Sequence, residues 1–177
     1  MQMPNKPSLL ILGAGGYGLA VAEAAELSGQ WQEIMFADDR WPATQHVAEY
    51  NIVTNIANLN QLQNTQLQAI VAVGNNTLRQ QWQQTLRALG IELTSVIHPK
   101  TVVSRTAQIG LGVSVMAGCV ISRKTVINDG VILNIGTLLD HDVVIQEFAH
   151  LSVGVKVAGG QTIAAHSFLE VGTCILH

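Results

Sequence analysis

The chain has 177 residues and a net charge of −3, with 12% charged, 48% hydrophobic and 5% aromatic residues. Charged residues are at about half their usual share of roughly 25%, and the mean hydropathy of +0.30 excludes a disordered chain, while the acidic balance gives no basic footprint for nucleic acid. No apolar run reaches the roughly 18 residues of a membrane span, the segment Met1 to Ser8 is too polar for a signal peptide, and Cys119 and Cys174 are too few for a disulfide framework, so a reducing cytoplasm is the expected location.

Leu9 to Leu12 is a short apolar run. It leads into Gly13-Ala14-Gly15-Gly16-Tyr17-Gly18 and then into a helical stretch, Leu19 to Ser28, ending at Gly29. Gly13, Gly15 and Gly18 fit the G-x-G-x-x-G pattern in the strand, turn, helix context it requires. A second strand, Ile34 to Ala37, ends in Asp38-Asp39, near where the acid of a Rossmann unit meets a ribose. Asn51 to Gln68 is rich in Gln and Asn and reads as a solvated connection, with a short helix within it as the alternative. A third strand, Ala69 to Val73, closes on Gly74-Asn75-Asn76. The following helix places Leu78, Trp82, Leu86 and Leu89 on one face, with Gly90 as its C-terminal stop. The expected organisation is a Rossmann-like α/β domain over residues 1–95, joined through Glu92 to Val96 to a second domain over residues 96–177. The glycine turn has two readings: an anion held at a helix N-terminus, or a tight turn with no ligand. A region of about 95 residues is too small for the usual two-half dinucleotide fold, so a nucleotide-linked substrate suits it better than NAD.

From Ile97 onward every sixth residue, fourteen in a row up to Ile175, is β-branched or leucine. Four places after each stands a small or β-branched residue in twelve of thirteen hexads, Gln161 being the exception. A period of six fits neither the 3.6 of a helix nor the 2 of a plain strand. It fits a parallel β-helix of hexapeptide repeats, in which each short strand stacks on its equivalent one coil away. Cys119 then points inward as core, and Cys174 has no partnering base.

His141 falls at a turn position of its hexad, flanked by Asp140 and Asp142. With three hexads per coil, Gly159 stacks over it and leaves room beside the ring. A neighbouring carboxylate would raise its basicity and fix its tautomer, as a general base requires. The other reading is a surface histidine among charges. His150 lies half a coil away. His98 marks the start of the first coil, and His46, His166 and His177 carry no argument. His141, His150 and His166 lack the tight ligand spacing of zinc sites, and no metal is expected.

Several stretches resemble the sugar acyltransferases of the sialic acid O-acetyltransferase type. Within them, the chain is most similar to the bacterial nucleotide-sugar N-acetyltransferases that make diacetamido trideoxy sugars. The resemblance covers nearly the whole chain. It rests on the glycine turn, Phe36-Ala37-Asp38-Asp39, Val73-Gly74-Asn75-Asn76 with Arg79, and Ile97-His98-Pro99. Its most specific stretches are Val131-Ile132-Leu133-Asn134, Leu139-Asp140-His141-Asp142, Glu147 to Gly154 and Ala158-Gly159-Gly160. The resemblance implies a left-handed β-helix binding acetyl-CoA, a Rossmann-like domain binding a UDP-linked amino sugar, and a bacterial homotrimer with active sites between subunits. It implies that His141 is the general base supported by Asp142, that Asn134 positions the reacting groups, and that His150 lies near the acetyl group or coenzyme. The N–H of Gly159 would hold the thioester carbonyl, and Gly13, Gly15, Gly16, Tyr17, Asp38, Asp39, Arg40 and Asn75 would meet the nucleotide sugar. Transfer would be direct, without an acyl-enzyme. O-acetylation of a sugar such as sialic acid, or a non-catalytic nucleotide-sugar-binding relative, are the alternatives.

Three departures stand out. Tyr17 takes the place of a histidine common in the glycine turn. Gln146, Ala164 and Glu170 replace glycines at the second hexad place. The repeats stop at His177, where relatives continue for about two coils, so weakened coenzyme binding, capping by a neighbour or assembly is expected.

Overall fold

A computed structural model describes residues 6–62 and 66–177; the polar start, Met1 to Asn5, lies outside them. Strand β1 (Ser8–Leu12) is buried along its whole length, as a central parallel strand covered on both faces must be. It pairs in parallel with β2 (Glu33–Ala37) on one side and β5 (Leu67–Val71) on the other. The short β6 (Glu92–Leu93) adds to β5, while β4 (Tyr50–Thr54) adds to β2 and carries the antiparallel β3 (His46–Val47). The six-stranded order is β3-β4-β2-β1-β5-β6. Helix α1 (Gly16–Ser28) begins inside the glycine turn, three residues earlier than expected, and ends on Gly29 in the left-handed region.

Two expectations are corrected. Asn51 to Gln68 is not a plain solvated connection. It holds part of β4, with Ile52 and Thr54 buried, and a 3-10 helix, Ile56–Gln61, that buries Leu59; residues 63–65 lie outside the described ones. Helix α2 (Asn76–Ala88) keeps Leu86 in the core, but Leu89 is exposed and its other buried residues are Arg79 and Gln83. Hydrophobic periodicity cannot foresee this, because what these side chains meet is a row of backbone carbonyls.

Only Thr94 and Ser95 separate β6 from the first strand of the left-handed β-helix. Fourteen two-residue strands follow, each made of the sixth and first hexad places, and they stack into three parallel sheets. Face one holds β7 (Val96–Ile97), β10 (Ser114–Val115), β13 (Ile132–Leu133), β16 (His150–Leu151) and β19 (Phe168–Leu169). Face two holds β8 (Val102–Val103), β11 (Val120–Ile121), β14 (Leu138–Leu139), β17 (Lys156–Val157) and β20 (Cys174–Ile175). Face three holds β9 (Gln108–Ile109), β12 (Val126–Ile127), β15 (Val144–Ile145) and β18 (Thr162–Ile163). The first-place aliphatics fill the bore, with the fifth-place Val113, Cys119, Val131, Val143, Ala149 and Val155 packed beside them. The demanding turn position is the fourth place, not the second. Lys124, Asp142, Phe148 and His166 adopt φ between 56° and 59° there, where other coils use glycine.

The α/β part docks on face one. The outward column Val96, Ser114, Ile132 and His150 is buried, and only Phe168 at its end is half-exposed. Tyr17 on the first turn of α1 meets the Ser114 hydroxyl at 2.6 Å. Below, α2 crosses the corner between faces three and one: Gln83 Nε2 donates to Gly112 O at 3.1 Å and Arg79 Nε to Gly130 O at 2.7 Å.

Candidate active site

The glycine turn is shaped by close approach. A Cβ on Gly13, whose φ is +102°, would meet Val73 Cγ1 at 2.7 Å, and one on Gly18 would lie 2.0 Å from the carbonyl oxygen of Gly13. Only glycine lets the helix start this close to the strand end. Gly15 and Gly16 by contrast are exposed and open, and no side chain caps the helix N-terminus at Gly15. Asp38 braces the turn. Its Oδ2 accepts from Ala14 N–H at 2.8 Å, its Oδ1 from Arg40 Nε at 2.7 Å, and Arg40 Nη2 reaches Ala14 O at 2.7 Å. Partial burial works against the Asp38 carboxylate, but the Arg40 and Ala14 hydrogen bonds outweigh it and hold its pKa below the ordinary value. Asp39 Oδ1 accepts from Ile56 N–H at 3.3 Å, and Asn75 caps α2 by accepting from Leu78 N–H at 2.9 Å. The structure thus gathers Gly13, Gly15, Gly16, Tyr17, Asp38, Arg40 and Asn75 at the strand ends, where ligands of open α/β sheets bind. Asp38 supports the turn from a largely covered position, while Arg40 braces it from the outside, its side chain half-exposed.

His141 lies elsewhere, at the corner between faces two and three. Its Nδ1 is 2.9 Å from Asp142 Oδ2, its N–H donates to Asp140 Oδ1 at 2.7 Å, and the side chain is 53% exposed. Asp142 reaches the ring from a backbone at φ +57°, a conformation costing about 1 kcal/mol or more in a non-glycine residue. It is the conformation the repeat takes at this turn place, shared with Lys124, Phe148, His166 and the glycines of the other turns. The ring lies flat over Gly159: a Cβ there would meet His141 Cε1 at 2.7 Å and Nε2 at 2.8 Å. Gly159 is buried beneath the imidazole. With Asp142 accepting from Nδ1–H, Nε2 keeps its lone pair free to take a proton.

Asn134 sits one corner away from His141, at the other end of β14, and its Oδ1 accepts from Ile135 N–H at 2.8 Å. His150 is on face one under the α/β part. Its Nδ1 is 3.3 Å from Gly74 O, and its ring lies between Tyr17 and Phe168. Within one chain, therefore, His141, Asn134 and His150 occupy different corners and faces, and His150 shares its surroundings with the glycine turn rather than with His141. Burial lowers the pKa of His150 and raises that of Tyr17, so both stay neutral near pH 7. Cys119 is buried with its thiol toward Asn134 O, and burial raises its pKa too, which makes it a poor nucleophile. Gln83 carries no signal in the sequence, and Arg79 carries one beyond its motif: a charge among the buried positions of the helix.

Beside His141 runs a groove of about 520 Å³ on face two, lined by Val120, Leu138, Asp140, Lys156, Ala158 and Cys174. No helix among the described residues is long and apolar enough to cross a membrane.

An α/β domain set against a left-handed hexapeptide β-helix, with an exposed His–Asp pair on a coil corner, defines the architecture of an acyltransferase class. Comparison with known proteins narrows it. The PglD N-terminal domain family matches residues 8–86. The acetyltransferase domain of PglB from Neisseria gonorrhoeae FA1090, solved in complex with acetyl coenzyme A, superposes with a TM-score of 0.91 at 39% identity, covering 96% of this chain and 82% of that one. A mutant GDP-perosamine N-acetyl transferase from Caulobacter crescentus, solved with CoA and GDP-perosamine, gives a TM-score of 0.79 at 29% identity over 96% of this chain and 88% of that one. A curated relative, UDP-N-acetylbacillosamine N-acetyltransferase of Bacillus subtilis (strain 168), is 27% identical over 115 residues, which is 62% of this chain but only about half (51%) of that protein. The chain belongs to the family of the PglB acetyltransferase domain.

Proposed function

We propose that the protein transfers acetyl from acetyl-CoA to the amine of a UDP-linked 4-amino-dideoxy sugar, with His141 as general base. The observation that carries the reading is the His141 ring itself, oriented by Asp142 and seated on Gly159. The amine nitrogen attacks the thioester carbon, forming a C–N bond, while Nε2 of His141 takes the amine proton. The developing oxyanion needs an N–H donor, and Gly159 offers its own. The C–S bond then breaks, CoA leaves as thiolate, and the imidazolium returns the proton to give the free thiol. No acyl-enzyme is required, in keeping with the inert Cys119.

The glycine turn with its open helix N-terminus suits the phosphates of the nucleotide sugar. Asn134 spends its carbonyl on its own turn and keeps its amide N–H groups for the ligands. The relatives support both substrates: the Neisseria domain was solved with acetyl coenzyme A, and the Caulobacter enzyme with CoA and an amino-sugar nucleotide. UDP rather than GDP follows the name of the Bacillus relative. His141 and the glycine turn lie on different sides of one chain, and face two, with its apolar groove, is uncovered. A homotrimer that sets face two of one subunit against its neighbour would close the groove over the pantetheine arm and bring the two half-sites together.

The test is release of free thiol from acetyl-CoA in the presence of a UDP-linked 4-amino-4,6-dideoxy sugar. Release that needs both substrates is expected. Release only with a hydroxyl acceptor, or none although acetyl-CoA binds, would overturn the reading.

A further inference from the structure

Two peptide groups flank His141, and all four of their polar atoms are held. After it, the Asp142 N–H donates to Arg123 O at 3.0 Å and the His141 carbonyl accepts from Gly160 N–H at 2.9 Å, bonds of the ladder that successive coils repeat. Before it, the His141 N–H donates to Asp140 Oδ1 at 2.7 Å. The fourth atom is the Asp140 carbonyl oxygen. In other turns of the β-helix this second-place carbonyl accepts from the fifth-place N–H of its own turn, as Ser104 O does from Ala107 N–H at 3.0 Å and Glu170 O from Thr173 N–H at 3.1 Å. Asp140 O has no such bond among the described residues. Its donor is the hydroxyl of Thr125 at 3.0 Å, fifteen residues earlier and one coil below.

Thr125 stands at the fifth place of its hexad and is fully buried in the bore. Directly above and below, the same place is filled by Val143 and Ala107, so packing alone does not call for a hydroxyl there. Its β-branched side chain is stiff, which aims the hydroxyl at a fixed point of the turn above. The same reach of fifteen residues joins Ser95 to Gly110 O, Thr101 to Met116 O and Cys119 to Asn134 O. At the corner of His141, Thr125 alone among the described residues makes it. The peptide it holds is the one that sets the direction of the His141 side chain. A rotation of that peptide would swing the ring off Gly159, where the fit leaves no room for a methyl group.

We infer that Thr125 is a positioning residue for the general base: from inside the bore its hydroxyl holds the Asp140 carbonyl and so fixes the turn that seats the His141 ring on Gly159. The role of His141 as base rests on the acetyltransferase reading; the placement of its ring does not.

The experiment is ¹³C relaxation of the His141 ring in the histidine-labelled full chain, with its signal assigned from His141→Ala. Thr125→Val removes the hydroxyl at nearly the same shape, and Thr125→Ser keeps the hydroxyl but loses the methyl. The ring should be ordered in the native protein and in Thr125→Ser, and mobile in Thr125→Val. A ring mobile in the native protein, or equally ordered in Thr125→Val, would overturn the inference whether or not the protein transfers acetyl groups. In turnover, Thr125→Val should lower kcat about tenfold, the worth of one hydrogen bond, with the KM for acetyl-CoA unchanged, and Thr125→Ser should restore it. Equal losses of kcat in both variants would trace the effect to packing and overturn the inference. Should Thr125→Val fail to fold, Thr125→Ala takes its place, with the residue that Ala107 supplies one coil below, and the same loosened ring and lowered kcat are expected. A ring that loosens on loss of the hydroxyl, in a protein without transfer activity, would uphold the placement and count against the acetyltransferase reading alone.

Discussion

Ile132 and Leu138 occupy the same place in successive hexads, yet Ile132 is fully buried and Leu138 is 38% exposed. They belong to two faces of one prism, built by one rule. On both faces the first-place aliphatic fills the bore. The sixth place points out, and it alone decides what a face does. Face one presents Val96, Ser114, Ile132, His150 and Phe168, a column mixing apolar contact with hydrogen-bonding groups, and the α/β part covers it. Face two presents Val102, Val120, Leu138, Lys156 and Cys174 to the outside. The inward pattern therefore specifies the fold, and the outward column specifies the partner. On face one that partner is the same chain. On face two the proposed partner is a second copy of the chain.

The comparison can be broken in graded ways. The largest effect is expected at the corner beyond face two. Gly159→Ala forces a methyl into the His141 ring, and thiol release should fall by about 10²–10⁴, the usual worth of a positioned base, with the circular dichroism of the β-helix retained. On face one, Ile132→Ala should cost about 2–5 kcal/mol in denaturant unfolding, as for other buried aliphatics. Leu138→Glu sharpens the contrast: at the equivalent place on face two it should leave the subunit folded but shift sedimentation toward the monomer. An unchanged sedimentation coefficient would remove face two from the assembly. Tyr17→Phe strands the buried Ser114 hydroxyl and should cost about 1 kcal/mol. The smallest effect is on acid stability. Asp38 and His150 both have lowered pKa values in the fold, so each stabilises at higher pH. That of His150 is lost as pH falls below its ordinary 6.5, and that of Asp38 only below the ordinary carboxylate range. His150→Gln should remove the earlier loss and Asp38→Asn the later one, read from unfolding midpoints across pH.

Legibility followed the same division. The hexad register placed every strand of the β-helix, because one residue per six must point into a narrow bore whatever lies outside. The glycine turn was equally plain, since Gly13 and Gly18 stand where any Cβ collides. The stacking of Gly159 on His141 follows from an eighteen-residue coil and can be counted along the chain. What stayed hidden depended on partners from far along the sequence. Strand β4 sits in a polar stretch that only pairing with β2 makes regular. Arg79 was legible chiefly as part of a motif and Gln83 not at all, because the carbonyls of Gly130, Phe148 and Gly112 leave no trace in a hydropathy pattern. His150 could be placed half a coil from His141, but its burial under Gly74 depends on how the two parts dock.

The most direct test of the account is the turnover number of His141→Ala beside the native protein, with acetyl-CoA affinity measured on both by calorimetry. A loss of about 10²–10⁴ in kcat is predicted, as expected for removal of a general base, with coenzyme affinity retained. Turnover close to the native value in a variant that still binds acetyl-CoA would show that His141 is not the base and would contradict the central claim.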